Sequence, residues 1–195
     1  MRMRFVAVMA AASALLTLAA GPAFAASDDT AEYLSGGAPI GKRNLLFNFS
    51  SSRPTTVSYP GKHRPGTIVI NTAERQLYYV LGGGNAIRYG VGVGRIGFTW
   101  KGVRTVTAKK EWPAWTPPPQ MLKRRPDLPR HMEGGIENPL GARAMYLGGT
   151  LYRIHGSNEP DTIGRAVSSG CFRMNNDDVV DLYNRVRVGT KVIVQ

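Results

Sequence analysis

The sequence predicts a mainly β domain with one docked α-helix and a long irregular loop laid over it. Three observations carry that expectation. β-branched and aromatic runs recur from Thr67 onward between turn residues. Residues 112–142 are proline-rich and lack periodicity, and only the segment after Asn176 sets apolar side chains at helical spacing.

The first element is a targeting segment. Arg2 and Arg4 precede an apolar run from Phe5 to Ala20, Gly21-Pro22 breaks it, and Ala23-Phe24-Ala25 is a small-x-small cleavage pattern. Residues 1–25 read as a signal peptide cut after Ala25, because the run is short for a span of about 20 residues. No cysteine follows the run, so a lipid anchor at this site is excluded, and no stable membrane anchor is expected after cleavage. Cleavage would remove two arginines and no acid, taking the net charge from +12 to +10. Such a surplus points to an anionic partner or serves solubility alone, and both readings stand. Export argues against nucleic acid and favours the anionic polymers of a cell envelope.

Residues 26–61 mix Ser, Thr, Gly, Pro and charges and are expected to be a largely disordered linker with room for one added strand. Residues 62–195 are expected to form the domain. "TIVIN" (67–71), "QLYYVL" (76–81) and "AIRYGVGV" (86–93) read as an antiparallel meander, and "VRTVTAKKEW" (103–112) continues the β pattern. Gly92, Gly94 and Gly97 fit G-x-G-x-x-G, but the loop runs into another strand instead of opening a helix. A dinucleotide site is therefore rejected, and the glycines are expected to be turn residues with positive φ.

Loops as long as 112–142 are uncommon inside a compact domain. Trp112, Trp115 and Met121 argue that this one is packed, as a cover over a groove. "RAMYLGGTLYRIHG" (143–156) restores the strand pattern, with Tyr152, Ile154 and Gly156 alternating against Arg153 and His155. Asn175 or Asn176 is expected to cap the helix, Asp177 and Asp178 to sit in its first turn, and Val179, Leu182, Tyr183 and Val186 to share its buried face. Gly189 ends the helix, and "KVIVQ" is a closing strand.

Cys171 is the only cysteine. A free cysteine is usually a buried, inert packing residue. Ser168, Ser169 and Gly170 before it look more like an exposed turn, and a helix N-terminus and Arg173 follow. Those surroundings are expected to depress the thiol's pKa. Of the three histidines, His155 at a strand end is better placed as its base than His63 or His131. One cysteine and three scattered histidines show no metal-ligand spacing, and no serine triad is visible.

"IHGSNEP" followed by "SSGCFRM", with fifteen residues between His155 and Cys171, resembles the YkuD-type L,D-transpeptidases. The resemblance extends over about Gly66 to Gln195, including "GVGVGR", "WTPPPQM" and "NPLGARAMYL". Ser169 stands where many members carry a second histidine. The family implies a YkuD-like β-sandwich of mixed sheets with a docked helix and a lid loop. It implies Cys171 as nucleophile, His155 as its base, and the Gly156 carbonyl as the group orienting the imidazole. It places the oxyanion hole at the backbone N–H groups of Gly170 and Cys171. Arg173, Ser168, Ser169, Trp115 and Tyr152 are the expected substrate-binding residues, Arg173 serving equally as a loop-holding residue.

The implied reaction opens the stem peptide of peptidoglycan. Cys171 attacks the diaminopimelate carbonyl of a tetrapeptide, releases D-alanine and passes the acyl group to an amine, on a second stem or on an envelope protein. Water as acceptor would make the protein an L,D-carboxypeptidase or hydrolase, and a wall-binding module is a third reading. No cofactor is implied, the location is periplasmic, and carbapenems are expected to acylate the thiol.

Overall fold

The computed structural model describes residues 54–195. The signal peptide and most of the linker expected from the sequence lie outside the described residues. The last part of the linker segment carries strand β1 (Thr55–Ser58), which pairs antiparallel with β4. After it come β2 (Ile68–Asn71), β3 (Gln76–Gly82), β4 (Asn85–Gly90), the short β5 (Val93–Gly94) and the ten-residue β6 (Gly102–Glu111). The long loop holds a single short helix, α1 (Pro119–Arg124). β7 (Arg143–Leu147), β8 (Arg153–His155), β9 (Ala166–Ser168), β10 (Phe172–Arg173), α2 (Asn176–Arg185) and β11 (Lys191–Val194) complete the described chain.

Nine strands form one mixed sheet in the order β1-β4-β3-β2-β11-β6-β7-β8-β10, and β5 and β9 form a parallel pair beside it. The expected meander is β2–β3–β4, antiparallel throughout. β11 enters between β2, to which it is parallel, and β6, to which it is antiparallel. β6 joins the two halves: its first residues pair with β11, and from Val106 onward, across a bulge, it pairs with β7. Ile68, Val69 and Ile70 are all buried, as befits a strand covered on both faces.

The core gathers Ile68, Ile70, Leu77 and Tyr89 from the meander with Met145, Leu147, Ile154 and Phe172 from the other half, closed by Val179 and Leu182 of α2. Lys109 of β6 reaches the end of α2 and donates to the carbonyls of Tyr183 and Val186, both at 2.6 Å. It thereby satisfies acceptors the last helical turn leaves open.

Residues 143–156, where the strand pattern resumes, form a hairpin, because Gly148 and Gly149 (φ 72°) turn the chain between β7 and β8. Two local expectations hold only in part. Of the three glycines after β4, only Gly97 has positive φ. Gly92 and Gly94 are needed for close approach instead: a Cβ on Gly92 would press on the Thr162 carbonyl and on Arg173, and one on Gly94 on the Phe98 backbone. Asn175 stands at the N-cap of α2, as expected, but neither it nor Asn176 makes a side-chain capping bond. The Asn176 side chain is spent on the site described next.

Candidate active site

The strand pairing builds the site. β10 lies parallel to β8, with Phe172 opposite Ile154 and Arg173 opposite His155, so Cys171 and His155 enter the same region from adjacent strands. Both line a groove of about 1250 Å³. Trp115, Met121, Leu128 and Met132 of the long loop form one of its walls. That loop is tied in place: Trp115 and Met132 exchange backbone hydrogen bonds, and the buried Asn138 side chain donates to the carbonyls of Pro113 and Glu133. α1, unforeseen among the prolines, begins with Pro119 in its first turn, where a missing N–H costs nothing.

His155 is buried, and its Nδ1 lies 2.6 Å from the Gly156 carbonyl oxygen. A carbonyl only accepts, so Nδ1 carries the hydrogen and the neutral ring keeps Nε2 as its acceptor. Burial, outweighing the Gly156 contact, pushes the imidazole's pKa down to about 3, with Arg173 and Arg153 adding to the effect. The alternation that set His155 against Ile154 therefore fails at this strand end, where both are buried. Gly156 is also a close-approach glycine, since a Cβ there would collide with Asn176 Oδ1. Asn176 Oδ1 accepts from Ala142 N at 2.9 Å and Ser157 N at 3.3 Å, and its Nδ2 donates to the Ser157 carbonyl at 3.1 Å. This residue clamps the segment after His155 to the end of the long loop.

Cys171 is partly accessible from the groove, with Sγ 3.9 Å from the Leu151 carbonyl oxygen. Packing on its protein side pushes the thiol up from its ordinary value, and the Arg153 backbone N–H together with the Arg153 and Arg173 side chains only partly opposes this. The expectation of a depressed thiol pKa is thus corrected: desolvation outweighs the nearby cations.

The residues preceding the thiol serve the turn. Ser168 is buried; its Oγ donates to the Cys171 carbonyl at 2.6 Å and accepts from Gly170 N at 3.1 Å. Ser169 Oγ accepts from Arg95 at 3.3 Å. Gly170 (φ 109°) receives the Trp100 indole N–H on its carbonyl at 2.9 Å. Trp100 stacks on Tyr152, which lines the groove. Arg173 donates to Glu159 at 2.6 Å and to Thr162 at 3.2 Å, which fixes the turn at residues 159–162. Of its two expected roles, this is the loop-holding one.

Sequence reasoning missed Asn176, Trp100 and Arg153 as site residues. The signal for Asn176 was taken as a helix cap, and the other two are joined to the thiol only by tertiary packing. His63 and His131 lie elsewhere: His63 packs near Tyr59, and His131 bonds Thr116 and Glu133. Among the described residues no three His, Cys, Asp or Glu side chains converge as metal ligands.

Residues 65–194 match the family YkuD, the L,D-transpeptidase catalytic domain. The chain belongs to this family. It is 40% identical over 148 residues to the probable L,D-transpeptidase ErfK/SrfK of Escherichia coli K12, a match covering 71% of this chain and 46% of that protein. The chain spans about half the length of the curated relatives it matches. A solved structure from Brucella melitensis, described as a probable carnitine operon oxidoreductase, is 48% identical with a TM-score of 0.50, covering 73% of this chain and 93% of that one. An L,D-transpeptidase from Mycobacterium smegmatis has a TM-score of 0.54 at 20% identity, over 66% of this chain and 58% of its own, and speaks for the shared fold alone. No helix among the described residues of this YkuD-family chain is long and apolar enough to cross a membrane.

Proposed function

We propose that the protein is a periplasmic peptidoglycan L,D-transpeptidase with Cys171 as nucleophile and His155 as its base. The observation that carries this reading is the contact of His155 Nδ1 with the Gly156 carbonyl. It leaves Nε2 as a proton acceptor in the groove that also holds the thiol, within a chain of this family.

The resting pair is a neutral thiol and a neutral imidazole, as the raised Cys171 and lowered His155 require. With substrate in place, His155 Nε2 takes the proton from Sγ as sulfur bonds to the diaminopimelate carbonyl carbon of a tetrapeptide stem. Gly170 N–H is engaged by Ser168 Oγ, so the developing oxyanion falls to the Cys171 N–H of the expected pair. The tetrahedral adduct collapses, His155 returns the proton to the departing amine, and D-alanine leaves. The thioester is then attacked by an amine on a second stem or on an envelope protein. His155 removes the amine's proton, and the thiol is regenerated. Trp115 and Tyr152 offer apolar surface along the groove for the stem. Every step is carried by side chains and backbone of this chain, with no cofactor.

Mass spectrometry of products from a purified disaccharide-tetrapeptide tests the reading. A cross-linked dimer with loss of D-alanine is the expected product. A hydrolysed tripeptide alone would make water the acceptor, and an unchanged substrate would overturn the proposal.

A further inference from the structure

We infer that Arg153 is a positioning residue for Cys171: its guanidinium receives the sulfur when the proton leaves, while the Leu151 carbonyl holds the protonated form. The inference rests on Cys171 being the nucleophile.

The geometry comes from one shared acceptor. Arg153 Nη1 donates to the Leu151 carbonyl at 3.1 Å, and Cys171 Sγ lies 3.9 Å from the same oxygen. The sulfur and the guanidinium nitrogen are therefore no more than about 7 Å apart, inside the Debye length at physiological salt. The parallel register of β8 and β10, continued one residue back from Ile154 and Phe172, sets Arg153 beside Cys171.

The guanidinium is also incompletely satisfied. Arg153 Nε is buried without a hydrogen-bond partner, a costly state that a neighbouring anion would relieve. Arg153 is in none of the ion pairs among the described residues; Arg173, the other cation near the sulfur, is paired with Glu159. The other charged and titratable groups lining the groove are His155 on β8, Arg95, which reaches Ser169, Arg124 and Arg125 at the end of α1, and Glu137 and Glu159.

A neutral thiol can donate to the Leu151 oxygen, but a thiolate is repelled by it. Deprotonation sends the proton to His155 Nε2 and leaves a negative sulfur beside Arg153, a cation in no ion pair among the described residues. Burial pushes the thiol up; the Arg153 backbone N–H opposes it first, and the Arg153 guanidinium comes next, ahead of Arg173. The same charge pushes His155 down. Arg153 thus lowers the pKa of both partners, favouring the thiolate and disfavouring the imidazolium, which gives a paired signature no purely structural role would share.

The test is the pH dependence of iodoacetamide alkylation in wild type, Arg153→Gln and Arg153→Lys, with His155 followed by NMR. Glutamine retains a donor for Leu151 and loses the charge. Its alkylation midpoint should rise by about one pH unit, giving roughly tenfold less thiolate at neutral pH, and His155 should titrate higher than in wild type. Arg153→Lys should stay near the wild-type midpoint. If Arg153→Gln melts early, the lysine variant decides alone, and a midpoint moved by a full unit there overturns the inference. So does a glutamine profile superimposable on wild type, or an equal shift in both variants. Alkylation uses no peptidoglycan, so lack of activity on stem peptides would defeat the proposed function without touching this result.

Discussion

Trp100 and Tyr152 lie stacked, with centroids 4.9 Å apart and planes 10° from parallel, and Gly170 is fitted against them. The indole N–H holds the Gly170 carbonyl, and the Tyr152 ring fills the place a Cβ on Gly170 would need. With φ at 109°, the backbone there is also strained for any other residue. Gly170→Ala should destabilise the protein by about 1–3 kcal/mol and cut activity at least tenfold, on the order expected when a site is displaced by about 1 Å. Denaturant unfolding and turnover of the same preparation check both; wild-type values would show that the turn is tolerant.

The thiol has no substitute in this chain. Cys171→Ala should remove all product while keeping the wild-type melting curve, and His155→Ala should lose nearly as much, because residues that act as a unit are not additive. A carbapenem should leave a single covalent adduct on wild type, mapped by peptide mass spectrometry to Cys171 and absent from Cys171→Ala. Adducts elsewhere, or none, would place the chemistry at another residue.

His155 couples stability to acid. Its folded pKa, about 3, lies below the unfolded value of 6.5, so the unfolded chain binds the extra proton between those limits. The contribution is complete above pH 6.5 and is lost as pH falls toward 3, at no more than about 1.4 kcal/mol per pH unit. His155→Gln should show a shallower fall in melting temperature between pH 7 and pH 4 than wild type. Parallel curves would show that the ring is not buried in its neutral form.

Asn176 joins three backbone groups, the N–H of Ala142 and both the N–H and the carbonyl of Ser157. Asn176→Ala would leave those groups without partners, at a cost of about 1–3 kcal/mol for a buried unsatisfied group. Asn176→Asp keeps the acceptor for the two N–H groups and loses only the donor to Ser157. Urea unfolding should rank the proteins wild type, then Asn176→Asp, then Asn176→Ala, with activity following the same order.

The legible part of the fold was the part encoded locally. Alternating β-branched residues marked β2, β3, β4 and β6, and the spacing of Val179, Leu182 and Val186 marked α2. The paired His and Cys motifs marked the groove because each motif is a short contiguous stretch. Other features depend on contacts distant in sequence. The insertion of β11 between β2 and β6 leaves no local trace, and neither does the carbonyl shared by Arg153 and Cys171. The direction of the thiol shift was misjudged for the same reason: Arg173 can be read two residues away, whereas burial is a property of the assembled chain. Asn176 carried a real signal, but a polar residue at a helix start serves loop anchoring as readily as capping.

The placement of β11 also fixes when the molecule can form. A nascent chain offers first the meander and then β6 to β8, two half-sheets whose facing edges stay open until the last strand arrives. Val192 must find Ile68 on one side and Arg104 on the other, so the decisive contacts are of high contact order and close slowly. A chain truncated before Lys191 would keep both open edges, and its fate would be aggregation.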